Sequence, residues 1–214
     1  MLDLSNETMI HIKDEDVEYL QFKKLLDYQD KIQHCYTLKE DYKEVGDNNY
    51  KKLYEKLNLD YEGFTKIEYQ AHSDLVEKVV SKNKIYNNID GLLTNKRGIS
   101  LSLRFADCTP ILFYDPIKNV IGNIHSGWKG TVQKIAQKGL IKMIKEYDCR
   151  VEGIICLIGP CIGKCHFEVG EDVKEIFENT FSYLGDLKNI ITKGEKKEEG
   201  QKYFIDGESP SMEM

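Results

Sequence analysis

Between residues 91 and 147 the spacing of apolar side chains changes from short runs bounded by turns to the spacing of one helical face, and this change limits the fold more than any other stretch. Gly91–Thr94 and residues 111–114 and 120–124 are short apolar runs, the last two joined across Asp115-Pro116, a pair that favours a turn. Residues 99–103 alternate apolar and polar side chains with the period of a half-buried strand. From Thr131 the period lengthens: Val132, Ile135, Ala136, Leu140, Met143, Ile144 and Tyr147 share one helical face, with Lys134, Lys138, Lys142 and Lys145 elsewhere. Residues 153–158 predict another buried strand, with Cys156 as a small core hydrophobe. Residues 170–184 predict a helix that buries Val173, Ile176, Phe177 and Phe181. Strands interleaved with helices predict an α/β fold.

The flanks carry weaker patterns. A strand is predicted over 11–13, a helix over 17–26, a strand over 32–37, and a helix over 48–57, where Tyr50, Leu53, Tyr54 and Leu57 recur at helical spacing. A short strand over 67–70 is predicted to end at His72. Residues 193–202 are charged and predict a loop, residues 203–205 predict the start of a strand, and residues 207–214 carry no structural pattern.

With 214 residues, 41% of them hydrophobic, the chain can bury one sizeable core, so a single globular domain is expected. A net charge of -6 argues against a nucleic-acid backbone as the main partner and favours a small metabolite. Residues 1–7 lack the basic and apolar regions of a secretory signal, and no segment reaches the ~20 apolar residues that span a bilayer. A cytoplasmic protein without a membrane partner is expected. Its six cysteines, Cys35, Cys108, Cys149, Cys156, Cys161 and Cys165, then read as reduced thiols.

Three residues stand where chemistry is usually placed, beside predicted turns: His72 in Gln70-Ala71-His72-Ser73-Asp74, Cys108 in Ala106-Asp107-Cys108-Thr109-Pro110, and His125 in His125-Ser126-Gly127-Trp128-Lys129-Gly130-Thr131. A thiolate and two imidazoles suit a tetrahedral zinc whose fourth position stays open for water or substrate. Their spacing is unlike the compact pairs of a structural finger, and taken singly each fits a satisfied core histidine or a buried cysteine. A second reading makes Cys108 a nucleophile and His125 its base, with Asp107 holding the imidazole. The turn after His125 joins a strand to a helix, where amide groups favour an anion and Lys129 adds charge; the simpler reading is a glycine-rich turn with Thr131 as N-cap. Trp128, the single tryptophan, covers the core in the simpler of its two readings; the other stacks it on a substrate ring. Cys161-Ile162-Gly163-Lys164-Cys165-His166 lacks a fourth ligand and reads as a tight glycine turn, with Glu168 and Glu171 near the start of the next helix.

These segments, with Ile158-Gly159-Pro160-Cys161-Ile162, occur in the order and approximate spacing of the YfiH-like, laccase-domain-containing proteins, also called the polyphenol oxidase or purine nucleoside phosphorylase family, which the chain resembles over about residues 32–206. The resemblance implies an α/β fold of layered mixed β-sheets flanked by helices, akin to deamidating toxin domains of the CNF type. It divides the chain into a lead-in at 1–31, one domain at 32–206 and a tail at 207–214. It also implies that His72, Cys108 and His125 bind one zinc ion, with copper as the alternative metal, and act as the catalytic residues. The activity implied is phosphorolysis of adenosine, inosine, guanosine and methylthioadenosine to the base and ribose 1-phosphate, with deamination of adenosine beside it.

An older assignment in that family is a copper-dependent laccase, for which three ligands to one metal are too few. Another is an amidase acting on cell-wall precursors, closer to the Cys108 nucleophile reading. Two departures stand out. A Thr-Arg-x-Gly-Gly segment of the family is replaced by Tyr36-Thr37-Leu38-Lys39, and the family pattern stops at Asp206. A third reading is therefore an inactive, truncated zinc-binding domain that serves a partner.

Overall fold

The computed structural model describes residues 3–14, 17–38, 48–82, 84–197 and 200–206, which group into two compact units. Residues 207–214, expected as a tail, and Lys39 of the departing segment lie outside the described residues.

The first unit comprises residues 1–64 together with Arg97–Ser100. Its strands β1 (Met9–Lys13), β2 (Glu18–Phe22) and β3 (Tyr36–Thr37) form an antiparallel sheet in that order. Between the last two lies a single helical turn, α1 (Lys23–Leu26), and after them comes α2 (Asn48–Lys56). The helix predicted over 17–26 is thus a strand followed by one turn. Tyr19, Leu20, Gln21 and Phe22 are all buried, so both faces of β2 are covered and its apolar run shows no alternation that would mark it as β. Val17 and Tyr19 pack on Leu53 and Leu57, which places the helix predicted over 48–57 where its apolar stripe requires. The predicted strand over 32–37 shrinks to β3, because Lys31 and Ile32 donate their N–H groups to the Tyr28 carbonyl in a turn.

The second unit runs over Thr65–Lys96 and Leu101–Met214. Its strands are β4 (Lys66–Ile67), β5 (Val76–Lys78), β6 (Ile85–Tyr86), β7 (Gly91–Thr94), β8 (Thr109–Asp115) and β9 (Val120–Ser126). Helices α3 (Trp128–Val132) and α4 (Ile135–Tyr147), strands β10 (Ile155–Ile158) and β11 (Glu168–Val169), helix α5 (Glu171–Phe181) and strands β12 (Ile191–Lys197) and β13 (Gly200–Ile205) follow. The central sheet has the order β10-β8-β9-β7-β5 and is antiparallel except between β5 and β7. One face is packed by α4: Ile111, Phe113, Val120 and Ile124 meet Ile135, Ala136 and Met143. A Cβ on Gly139 would lie 3.1 Å from Ile124 Cδ1, so this glycine lets helix and sheet approach closely. The second core, of Val169, Phe177, Phe181 and Ile205, lies between α5 and the β11-β13-β12 sheet.

This is the mixed α/β arrangement of sheets and helices that the sequence predicts, with local differences that have physical causes. The single helix expected from Thr131 is two helices, broken at Lys134, which takes a left-handed conformation. Trp128 and Val132 of α3 pack on the α5 core, whereas Ile135 and Ala136 of α4 pack on the central sheet, so one straight helix cannot serve both. Of the stretch expected as a loop, residues 193–197 lie in β12 and residues 200–202 in β13, paired antiparallel; β12 exposes most of its length, which is why its composition is charged. Ile176 and Ile144 are exposed rather than buried. Cys156 is exposed on β10, an edge strand, and not a core residue. The strand predicted to lead to His72 is only β4, which pairs parallel with β6.

Residues 99–103 do not form the strand that their alternation predicts, apart from an isolated bridge between Ser100 and Phe64. The main chain of residues 101–104 is held by side chains instead: Ser102 N–H donates to Thr65 Oγ1, Asn123 Nδ2 to the Leu101 carbonyl, and Gln70 exchanges two hydrogen bonds with Arg104.

Candidate metal centre

Strand register brings the predicted residues together. In the β8–β9 ladder Thr109 faces Ser126 and Pro110 faces His125, and in β7–β9 Gly91 faces Ile124. Side chains alternate along strands, so His125 points away from the α4 face that Ile124 occupies. The β7–β9 ladder continues one residue further, where His125 N–H donates to the Asp90 carbonyl at 2.7 Å. Cys108 precedes β8 by one residue. His72 lies on the segment between β4 and β5 with φ of 54°, a left-handed conformation that non-glycine residues adopt mainly at constrained sites.

The result is one cluster. A ligand atom from each of His72, Cys108 and His125 lies within 4.8 Å of the other two. The two imidazole rings meet edge to face at 4.9 Å, with His125 buried and His72 exposed, so the group opens to one side. Gly127 makes room for it: a Cβ there would sit 2.8 Å from His72 Cδ2 and 3.1 Å from Cys108 Sγ. Its φ of -72° is one that any residue adopts, so the need for glycine is space and not backbone freedom. One thiolate and two imidazoles are borderline-soft donors that fit zinc or copper and leave a fourth position open.

Asp90 holds this cluster from beneath. Its fully buried carboxylate lies 2.7 Å from His125 Nδ1 and accepts from the N–H of His72 at 3.1 Å, the N–H of Ser73 at 2.7 Å and the Ser73 hydroxyl at 2.8 Å. One carboxylate thus orients both histidines. With Nδ1 committed to Asp90, only Nε2 of His125 is left to face the cluster. Burial pushes the Asp90 carboxyl up, but the hydrogen bonds from His125 and Ser73 outweigh it and hold the group below its usual range. Burial likewise pushes the His125 imidazolium down, and its bonds to Asp90 and Cys108 outweigh that, raising its pKa to about 9. Phe105 adds a wall, its ring centroid 5.5 Å from that of His125.

Asp107 does not hold the imidazole. Its side chain is exposed, and its carbonyl accepts from Ile162 N–H, which pins the 159–163 turn beside Cys108. The orienting acid is Asp90 instead, which sequence reasoning missed; its signal was a lone carboxylate heading the apolar run Gly91–Thr94. Thr131 is not an N-cap: it lies inside α3, its hydroxyl donating to the Gly127 carbonyl, and Gly127 occupies the cap position. Lys129 extends over the Trp128 ring, and Trp128 itself packs on the α5 core. In the Cys161–His166 turn Cys165 Sγ and His166 Nδ1 approach to 2.9 Å. Among the described residues the His72, Cys108 and His125 group alone gathers three ligand atoms.

Comparison with known proteins fits this geometry. A family model described as multi-copper polyphenol oxidoreductase laccase matches residues 31–206. The chain is 34% identical over 139 residues to the human protein named purine nucleoside phosphorylase LACC1, covering 65% of this chain and 32% of that protein. It is 35% identical over 151 residues to the Clostridium acetobutylicum protein named purine nucleoside phosphorylase CA_C1699, covering 71% of this chain and 61% of that one. A protein from an unknown prokaryotic organism, named adenosine deaminase RL5, is 34% identical over 99 residues, 46% of this chain and 37% of its own length. The chain therefore spans less than two thirds of the curated relatives it matches. In fold it is similar to the Bacillus licheniformis hypothetical protein YfiH, with a TM-score of 0.70 and 23% identity over 98% of this chain and 81% of that one.

Proposed function

The chain belongs to the multi-copper polyphenol oxidoreductase laccase family, and from that membership and its His-Cys-His centre we propose that it is a zinc-dependent purine nucleoside phosphorylase that also deaminates adenosine. The observation that carries the reading is the convergence of His72, Cys108 and His125 on one point, with no fourth side chain of their kind among the described residues. A closed structural site would supply that fourth ligand; a catalytic site leaves it to water or substrate. The names of the relatives at 34–35% identity support the choice of nucleosides and phosphate as substrates.

A zinc ion held by these residues supplies a Lewis acid and an acidified water. The chain's own residues do the rest. Asp90 fixes His125 so that a single ring nitrogen faces the centre, and it fixes the main chain of His72 at the same time. Gly127 keeps the space between His72 and Cys108 clear. Phe105 offers an apolar ring beside the centre, a surface suited to a flat base. In phosphorolysis a phosphate oxygen bonds to the ribose C1′ while the base departs with the C1′–N9 electron pair and takes up a proton.

The family description points to laccase chemistry, but the described residues gather one three-ligand group, and four-electron reduction of oxygen draws on several coppers. Copper remains the alternative metal for this one site. A cysteine hydrolase is the second reading, favoured by a specific observation: His125 lies between the Asp90 carboxylate and the Cys108 thiol, the order of an acid, base and nucleophile. No helix of the described residues is long and apolar enough to cross a membrane, and all six cysteines are free thiols, which supports a reducing, cytoplasmic setting.

The test is incubation of zinc-loaded protein with adenosine, with and without phosphate, beside a Cys108→Ala control. Adenine that forms only with phosphate, and is lost in the control, is the expected result; inosine without phosphate reports the deamination. Neither product from folded, metal-bound protein overturns the reading. Rapid alkylation of metal-free Cys108 by an acyl or amide-directed electrophile, with no zinc uptake, moves the assignment to the hydrolase.

A further inference from the structure

We propose that Gln70 is a positioning residue that sets the approach of Cys108 to the two histidines by bracing the main chain at Arg104. The inference rests on the metal-centre reading above.

Residues 101–107 deliver both Cys108 and Phe105 to the site, yet among the described residues no strand pairs with residues 101–106 of this segment. Peptide groups that leave a sheet must find other partners. At Arg104 both are taken by one side chain: Gln70 Oε1 accepts from Arg104 N–H at 2.7 Å, and Gln70 Nε2 donates to the Arg104 carbonyl at 2.9 Å. The primary amide thereby reproduces the two-bond exchange of a β-bridge. Its position gives the brace its meaning. Gln70 is two residues before His72, and Arg104 is one before Phe105 and four before Cys108. Gln70 therefore ties the segment that bears one metal ligand to the segment that bears another, at a point where Phe105 already touches His125. Thr65 and Asn123 brace the same segment further from the site, at Ser102 and Leu101.

Three substitutions separate positioning from bulk. Gln70→Ala removes both bonds, Gln70→Asn is too short to span them, and Gln70→Glu keeps the acceptor for Arg104 N–H while setting a carboxylate against the Arg104 carbonyl. Zinc dissociation constants, read by competition with a chromogenic chelator, are expected to rise about tenfold or more in the first two and by less in Gln70→Glu, the usual reach of groups that hold metal ligands in place. Melting of the metal-free protein is expected to change little, because the brace sits on a surface segment. Zinc affinity within twofold of the parent in Gln70→Ala and Gln70→Asn overturns the inference while leaving the proposed function standing. A parent chain that takes up no zinc sinks the proposed function. The brace is then judged by metal-free Cys108 alkylation, faster in Gln70→Ala if it holds the segment and unchanged if it does not.

Discussion

The carboxylate of Asp90 lies 2.7 Å from Nδ1 of His125, and the same carboxylate receives the backbone N–H of His72, so one buried acid sets the attitude of two candidate metal ligands. Replacing it by Asn preserves the shape and removes the charge that holds the His125 proton on Nδ1. Asp90→Asn is expected to weaken zinc binding by about 10–100-fold, the range found when groups that orient metal ligands are changed. Asp90→Ala is expected to destabilise the metal-free fold as well, by about 1–3 kcal/mol, since the half-buried Ser73 donors and the buried His125 donor lose their acceptor. Chelator competition and urea titration read the two effects separately; zinc affinity unchanged in Asp90→Asn would show that the carboxylate merely fills space.

Gly127→Ala probes the opening between the ligands. The added methyl would sit 2.8 Å from His72 Cδ2, tighter than contacts of real side chains allow, so either the His72 ring or β9's end has to move. Overpacking of this kind costs about 1–3 kcal/mol when absorbed by a core. Here His72 is exposed and free to yield, so the loss is expected in metal binding and turnover rather than in melting temperature. Turnover matching that of the parent chain would mean that His72 is not held to the centre.

Uptake of zinc is expected to be strongly pH-dependent. His125, with a pKa raised to about 9, keeps its proton in the metal-free protein at neutral pH, and a metal ligand must give that proton up. Binding therefore releases protons and weakens as pH falls below about 9, by about tenfold per unit for each proton displaced. Calorimetric titration in buffers of different ionisation enthalpy measures the release directly. An apparent affinity flat between pH 6 and 9 would remove His125 from the ligand set.

Cys108 and His125 were legible in the sequence because they sit at strand ends. His125 closes the apolar run of β9 and Cys108 opens that of β8, and short apolar runs announce themselves. What stayed hidden depended on register or on side chains standing in for backbone. Asp90 reaches His125 only because β7 and β9 pair in one particular register, which no local pattern encodes; Asp107, beside Cys108 in sequence, was the natural but wrong choice. Residues 99–103 alternate like a strand, yet the side chains of Thr65 and Asn123 take hydrogen bonds that a neighbouring strand would supply. The break at Lys134 was hidden for another reason: Val132 and Ile135 both fit one helical stripe, and only the existence of two cores separates them.

Acid sensitivity of the first unit is expected to arise at His34. Burial lowers its pKa to about 4, and its Nε2 accepts the N–H of Phe22 at 2.8 Å, a bond that only the unprotonated nitrogen can make. The folded state therefore favours the neutral ring, whereas the unfolded chain protonates near 6.5. The stability this provides is complete above about pH 6.5, is lost progressively as the pH falls towards about 4, and costs nothing further below that. At pH 5 the expected loss is about 1–2 kcal/mol relative to pH 7. His34→Gln offers an amide oxygen to Phe22 and does not titrate, so its urea midpoint should change less between pH 7 and 5 than that of the parent chain. Parallel pH dependences in the two proteins would place the acid-sensitive group elsewhere and leave His34 as a packing residue stacked 6.1 Å from Phe22.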